Sequence, residues 1–238
     1  MVITDPSKRP SERLAQVLHG YFTDKGYAFK KSTHQFTKTT GNKKDSVFLF
    51  YSRTADLVSA SLSWAIVFPE LEKIYTIIES TDEKSSVKPS TLWTNLLNYL
   101  PRRNNNAPSS FDMFSPHTFR YDDFSINDAA EKLVINYEEY VEPFLHRYND
   151  LRTLEMELNQ LPLSHHPYIG YGGRQITFGL VLAKRFNQEK FNSLVTAYRN
   201  YIDTTYKDEE DLLRKEMGKF VGNTLAYLEQ VDINKVIS

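Results

Sequence analysis

The stretch LSHHPYIGYGGRQ, residues 163–175, holds the densest set of groups able to do chemistry: His165, His166, Tyr168, Tyr171, Arg174 and three glycines. Imidazoles move protons or ligate metals, glycines let a backbone approach a ligand, and a guanidinium holds a carboxylate or phosphate. The spacing forces none of these. Adjacent histidines in an extended loop point apart, whereas zinc sites on one element separate theirs by about two to four residues. His19, His34, His117 and His146 stand on separate segments, so neither a metal nor a cofactor is expected. GYGGRQITFG sets glycines and Arg174 ahead of a helix, where free backbone donors suit an anion. It lacks the lysine and hydroxyl of a P-loop and has no preceding buried strand. The stretch therefore reads as a structural connection with exposed histidines. Gly172 and Gly173 turn the chain through positive φ before a helix that starts at Ile176. A hydrolase or transferase using His165, His166, Tyr168, Tyr171 and Arg174 with a distant carboxylate is the competing reading.

A second cluster is basic. Lys30, Lys31, Lys38, Lys43 and Lys44 concentrate on one predicted hairpin, with Tyr27, Phe29 and Phe36 interleaved. Cations alternating with rings can hold single-stranded nucleic acid. Lysines on an edge hairpin also discourage aggregation, and a formal net charge of −1 over 238 residues supplies no field toward a polyanion. Asp122 with Asp123, or Glu138 with Glu139, could act as acid and base only if another carboxylate came near. Asp208, Glu209, Glu210 and Asp211 suit the start of a last helix, where the macrodipole favours carboxylates. No serine sits in a nucleophile elbow.

The elements that position these groups follow from periodicity. Leu14, Val17, Leu18, Tyr21 and Phe22 recur at helical spacing behind a capping Ser11, and Gly26 offers a left-handed stop. From Tyr27 the period becomes two: YAFKKS, HQFTKTT, a turn at GNKK, SVFLFYSRT, a turn near Ala55 and Asp56, then VSASLSWAIVF. This predicts a four-stranded antiparallel meander covered on one face by the first helix. Pro69 opens a short helix, STDEKSSVKPST reads as a linker, TLWTNLLNYLP is ambiguous between helix and strand, and RRNNNAPSSFDMFSPH reads as an irregular excursion. Helices resume with a capping box from Ser125 to Asp128, and Pro143 must kink or restart the chain. The expectation is an α+β fold: residues 1–80 as helix plus sheet, 81–124 irregular, 125–238 helical and able to share the sheet's core.

The composition, 40% hydrophobic and 25% charged, is that of an ordinary globular protein. The absence of cysteine removes disulfides, thiolate metal sites and thiol nucleophiles. MVITDPSKRPSER lacks the apolar run of a signal peptide, and no segment approaches the roughly 18 apolar residues of a membrane span. A cytoplasmic protein without membrane association is expected.

LAQVLHGYFTDKGYAFKKSTHQFTK and VEPFLHRYNDLRTLEMEL, with a helix ending in Gly26-Tyr27, a following Phe29-Lys30-Lys31 and a restart at Pro143-Phe144, resemble bacterial domains of unknown function of the immunity-protein type. The resemblance covers residues 11–80 and 125–160. It implies a non-enzymatic protein-binding protein whose partner is a toxin that it neutralises, and it brings no catalytic motif. Enzyme and nucleic-acid module stay open beside it.

Overall fold

The computed structural model describes residues 2–53, 57–79, 90–95, 99, 117–207 and 211–237. The first helix, α1 (Pro10–Asp24), begins one residue before Ser11, with Pro10 in its first turn. A proline there gives up only a donor that has no partner within the helix. Leu14, Leu18 and Phe22 are buried, and Gly26, at φ 83°, ends the turn as its position predicts.

The meander follows: β1 (Ala28–Lys30), a 3-10 turn (Lys31–Thr33), β2 (Gln35–Thr40), β3 (Lys43–Arg53) and β4 (Val58–Val67). Thr40 pairs with Lys43 across the two-residue turn Gly41-Asn42, and Gly41 alone there has positive φ, which is the II′ arrangement matched to strand twist. The pairing is antiparallel throughout β1–β2–β3. Phe22 of α1 stacks on Phe36 of β2 with ring centroids 4.2 Å apart, so the first helix covers the sheet as expected.

Two further strands complete the sheet. β5 (Leu92–Asn95) lies in the stretch ambiguous between helix and strand and β6 (His117–Phe119) begins at the end of the irregular excursion; they bring the sheet to six strands, with β6 antiparallel to the start of β4. Val58, Ala60, Leu62, Trp64 and Ile66 of β4 are buried as the alternation requires. Ser63 and Ala65 are buried too, so this end of the strand is covered on both faces rather than one.

After α2 (Pro69–Glu79) and the later strands, α3 (Asp123–Asn136) starts two residues before Ser125, the expected cap. Asp122 is the cap: its carboxylate accepts from the Ser125 amide at 2.8 Å. A π-helical segment (Tyr137–Val141), in which the Glu142 amide reaches back to the Tyr137 carbonyl, then leads into α4 (Glu142–Arg147). The wide turn absorbs Pro143, whose ring would clash with a regular α-helical carbonyl. The rest is α5 (Leu151–Leu158), α6 (Gly172–Phe186), α7 (Phe191–Thr205), α8 (Asp211–Gln230) and α9 (Ile233–Val236). The turn near Ala55 and Asp56, residues 80–89 and 100–116, and Asp208 to Glu210 lie outside the described residues.

By contacts the chain divides into two units, residues 1–66 with 93–146 and residues 67–92 with 147–238. In the first, α1, the sheet and α3 enclose Leu14, Phe22, Phe36, Trp64, Leu133 and Phe144. In the second, α6 is the axis: Gln175 through Ala183 are all buried, with α2, α5, α7 and α8 packed against it. Burial on every side makes its glycines a matter of clearance. A Cβ on Gly179 would overlap the Tyr198 hydroxyl, which lies 3.1 Å from both the Leu158 carbonyl and Asn159 Oδ1. Replacing Gly179 by alanine is therefore expected to destabilise the protein by about 1–3 kcal/mol. Phe at position 198, which withdraws the hydroxyl, should recover part of that loss; both are read by denaturant unfolding.

Candidate functional site

The 163–175 loop is a braced connection. His166 is only 6% exposed, against the expectation of two exposed histidines, while His165 beside it is exposed. The His166 amide donates to Gln175 Oε1 at 2.9 Å, and Gln175 Nε2 donates to the Ser164 carbonyl at 2.6 Å. Nδ1 of His166 accepts from the Tyr168 amide at 3.4 Å, so Nε2 carries the proton and donates to Glu157 at 3.3 Å. Glu157 also accepts from the Tyr148 hydroxyl at 2.6 Å and from Arg147 Nε at 2.7 Å. Burial pushes its carboxyl up, but the hydrogen bonds from His166, Tyr148 and Arg147 outweigh that and hold it below the ordinary range. Both ring nitrogens of His166 are thus spent on the fold, although an acid stands within reach as a catalytic pair would require.

Arg174 is likewise used internally. Its Nη1 pairs with the buried Glu72, which also accepts from Thr91 Oγ1 at 2.9 Å, and its guanidinium lies over the Tyr75 ring, 4.4 Å from the centroid. Tyr171 donates to Glu216 at 2.6 Å. Gly172 and Gly173 are the first residues of α6, four positions ahead of the expected start at Ile176, and neither has positive φ. Their role is close approach. A Cβ on Gly173 would come within 2.6 Å of the Phe220 ring, and one on Gly172 within 2.7 Å of the Tyr206 hydroxyl.

The five hairpin lysines do not form one surface. Lys43 is buried, 3.0 Å from Asp45 and donating to the Leu145 carbonyl at 2.7 Å. Burial lowers its pKa and raises that of Asp45, each only partly offset by the other's charge. Lys38 is half-buried, donates to the Lys25 carbonyl at 2.8 Å and lies over the Tyr27 ring. The pairs Lys38–Asp45 and Thr40–Lys43 share one face of the sheet, while Thr39–Lys44 occupies the other. Lys30, Lys31 and Lys44 are exposed.

The acidic pairs are also structural. Asp122 caps α3, and Asp123 receives hydrogen bonds from Thr4 Oγ1 at 2.6 Å and the buried Arg13 at 2.9 Å, which hold its carboxyl low. Glu138 accepts from the Tyr21 hydroxyl at 2.8 Å. Among the described residues no three His, Asp or Glu side chains converge to hold a metal ion, and no helix is long and apolar enough to cross a membrane.

One surface feature was missed. Phe124, in the first turn of α3, is 75% exposed and stands between two shallow grooves. One, of about 520 Å³, runs between α1 and α3 along Val17, Tyr21, Ala130 and Val134. The other, of about 470 Å³, is bounded by Leu57, Thr118 and Arg120. Asp128 borders both, Glu131 the first and Asp122 the second. Only the position of Phe124 just behind a cap could have marked it, since the helix was read as starting later.

His166→Ala is expected to cost about 1–3 kcal/mol, because Glu157 and the Tyr168 amide lose a buried partner, whereas His165→Ala should cost less than about 0.5 kcal/mol. A carboxyl held low in the folded state stabilises above its unfolded pKa and loses that contribution as pH falls through the folded value. Glu157→Gln should therefore lower the melting temperature at neutral pH, with the gap to wild type closing as the pH falls through the folded value. A gap independent of pH would show that the charge is not what the loop uses. A comparison with protein-family models, with curated proteins and with solved structures finds no match to this chain.

Proposed function

We propose that the protein is a non-enzymatic, cytoplasmic protein-binding protein, acting as an immunity-type inhibitor that neutralises a bacterial toxin, and that it engages its partner through the surface around Phe124. The observation that carries the reading is the exposure of that ring on a rigid base. Asp122 caps the turn from one side, and Arg13 fixes Asp123 from the other while donating from Nε to Thr4 at 2.6 Å. A large ring presented at low conformational cost is what binding hot spots use.

The chemistry of the partner follows from the lining. Apolar side chains flank Phe124, and among the described residues that line the two grooves the carboxylates Asp122, Asp128 and Glu131 outnumber Arg120, although Asp128 is paired with Lys132 at 2.7 Å. A partner that offers an apolar pocket rimmed by lysine or arginine complements this surface. The enzyme reading has less support, because His166 and Arg174 are committed to internal partners. The nucleic-acid reading has less support because Lys43 and Lys38 are turned into the fold.

The test is retention of the partner from native cytosol on immobilised protein, followed by titration with that partner purified. Phe124→Glu should weaken the complex by about thirtyfold or more, equivalent to about 2 kcal/mol, with melting unchanged. His165→Ala should leave it intact. A complex indifferent to Phe124→Glu, or turnover of an ester or phosphoester abolished by His165→Ala, overturns the proposal.

A further inference from the structure

A further pocket of the sheet unit lies between α1 and the 3-10 turn that joins β1 to β2, with a volume of about 270 Å³. Its apolar lining is Ala15 and the half-buried Phe29, whose ring packs against Phe36 at 4.8 Å. Its polar lining is Lys8, Lys31, His19, His34 and Gln16, with the single carboxylate of Glu12. Among the described residues neither lysine has an ion-pair partner; Lys8 Nζ only approaches Gln16 Oε1 at 3.5 Å. Both ammonium groups are exposed, and Lys8 feels only the through-space charge of Asp5, in contrast to the paired Lys43 and Arg174.

The geometry of His34 singles the pocket out. At φ 46° it is the one non-glycine residue with positive φ among the described residues. A left-handed residue is needed there to reverse the chain so that Lys30 pairs with Gln35. Glycine or asparagine would supply it at lower cost. His34 instead places an imidazole in the pocket wall. The ring is braced edge-on against Tyr51 at 5.2 Å, and Tyr51 in turn donates to the Ser11 carbonyl at 3.1 Å, tying the turn to α1. On the opposite wall His19 stands edge-on to Phe29 at 6.0 Å. Two imidazoles and two ammonium groups thus surround an aromatic floor on elements already fixed by packing.

We infer that this pocket is a binding site for a small organic anion, a carboxylate or phosphate carried on a flat apolar body. The body lies against Phe29 and Ala15, and the anionic group is held by Lys8 and Lys31 with hydrogen bonds from the histidines. The site is separate from the Phe124 surface and does not rest on that reading.

The probes are phenyl phosphate and benzoate, with benzyl alcohol as the neutral analogue, titrated into the isotopically labelled full chain and followed by amide shifts and calorimetry. Both anions should perturb residues 29–34 and the facing side of α1, and benzyl alcohol should bind at least about tenfold more weakly. Lys8→Glu with Lys31→Glu should abolish anion binding. His34→Gly keeps the backbone conformation, so it should leave melting unchanged or raised while weakening binding about fivefold. The inference is overturned by no perturbation of these residues up to about 10 mM ligand. It is equally overturned by equal binding of benzyl alcohol, or by affinity that survives the double charge reversal.

Discussion

A helix enclosed on all sides has no solvent-facing stripe, so every position along it must fit a neighbour. α6 meets that constraint from Gln175 to Ala183, and the packing of the helical unit depends on it. Where neighbours must touch its backbone it carries glycine: Phe220 closes on Gly173, and the Tyr198 hydroxyl closes on Gly179. The buried polar groups brought in by that approach are satisfied in turn. Asn159 donates to the Gly179 carbonyl and to Glu155, both at 3.1 Å. The loop before α6 is held in the same way, by Gln175 on the helix reaching back to both Ser164 and the His166 amide.

The sheet unit solves its burial problem with rings. Phe22, Tyr27, Phe36 and Tyr137 form a cluster of edge and stacked contacts between α1, the first hairpin and the π-helical segment. The two phenols meet at 3.1 Å, which satisfies both hydroxyls in a site that pushes the Tyr137 phenol up to about 12. The buried Lys43–Asp45 pair belongs to the same unit. The ionisable side chains buried in both units, Arg13, Lys43, Asp45, Glu72 and His166 among them, answer to another residue of the chain, whereas Lys8 and Lys31 stand exposed at the mouth of a pocket.

What the sequence made legible was local. α1, the meander, its Gly41 turn and the short helix at Pro69 follow from periodicity and turn chemistry within a few residues. β5 was left open between helix and strand and β6 was read as irregular, because four and three residues carry too little alternation to decide. The reading of His166 as exposed failed for the same reason: the partners that bury His166 and occupy Arg174 are nine and 102 residues away, beyond any local pattern. Ser125 was read as the cap since hydroxyl and acid stood in the expected order. The true cap three residues earlier exposes Phe124, which pattern alone places nowhere.

The π-helical segment sets the chain's tolerance for changes of length. In an unbroken α-helix residues seven apart lie about 20° from one stripe. Tyr137 and Phe144 have that separation, yet they meet different partners: Tyr137 faces Phe22 of α1 at 5.0 Å, and Phe144 faces Trp64 of β4 at 5.9 Å. The wide turn is the slack of one extra residue, retained because both ends are fixed by their rings. Glu138, exposed as it is, holds the Tyr21 hydroxyl at 2.8 Å, so the segment is tied to α1 at its rim as well as by its rings. Losing one residue between 137 and 141 would regularise the helix and turn Phe144 by about 100° away from Trp64. A change of length, more than an exchange of side chains, is what this stretch does not tolerate.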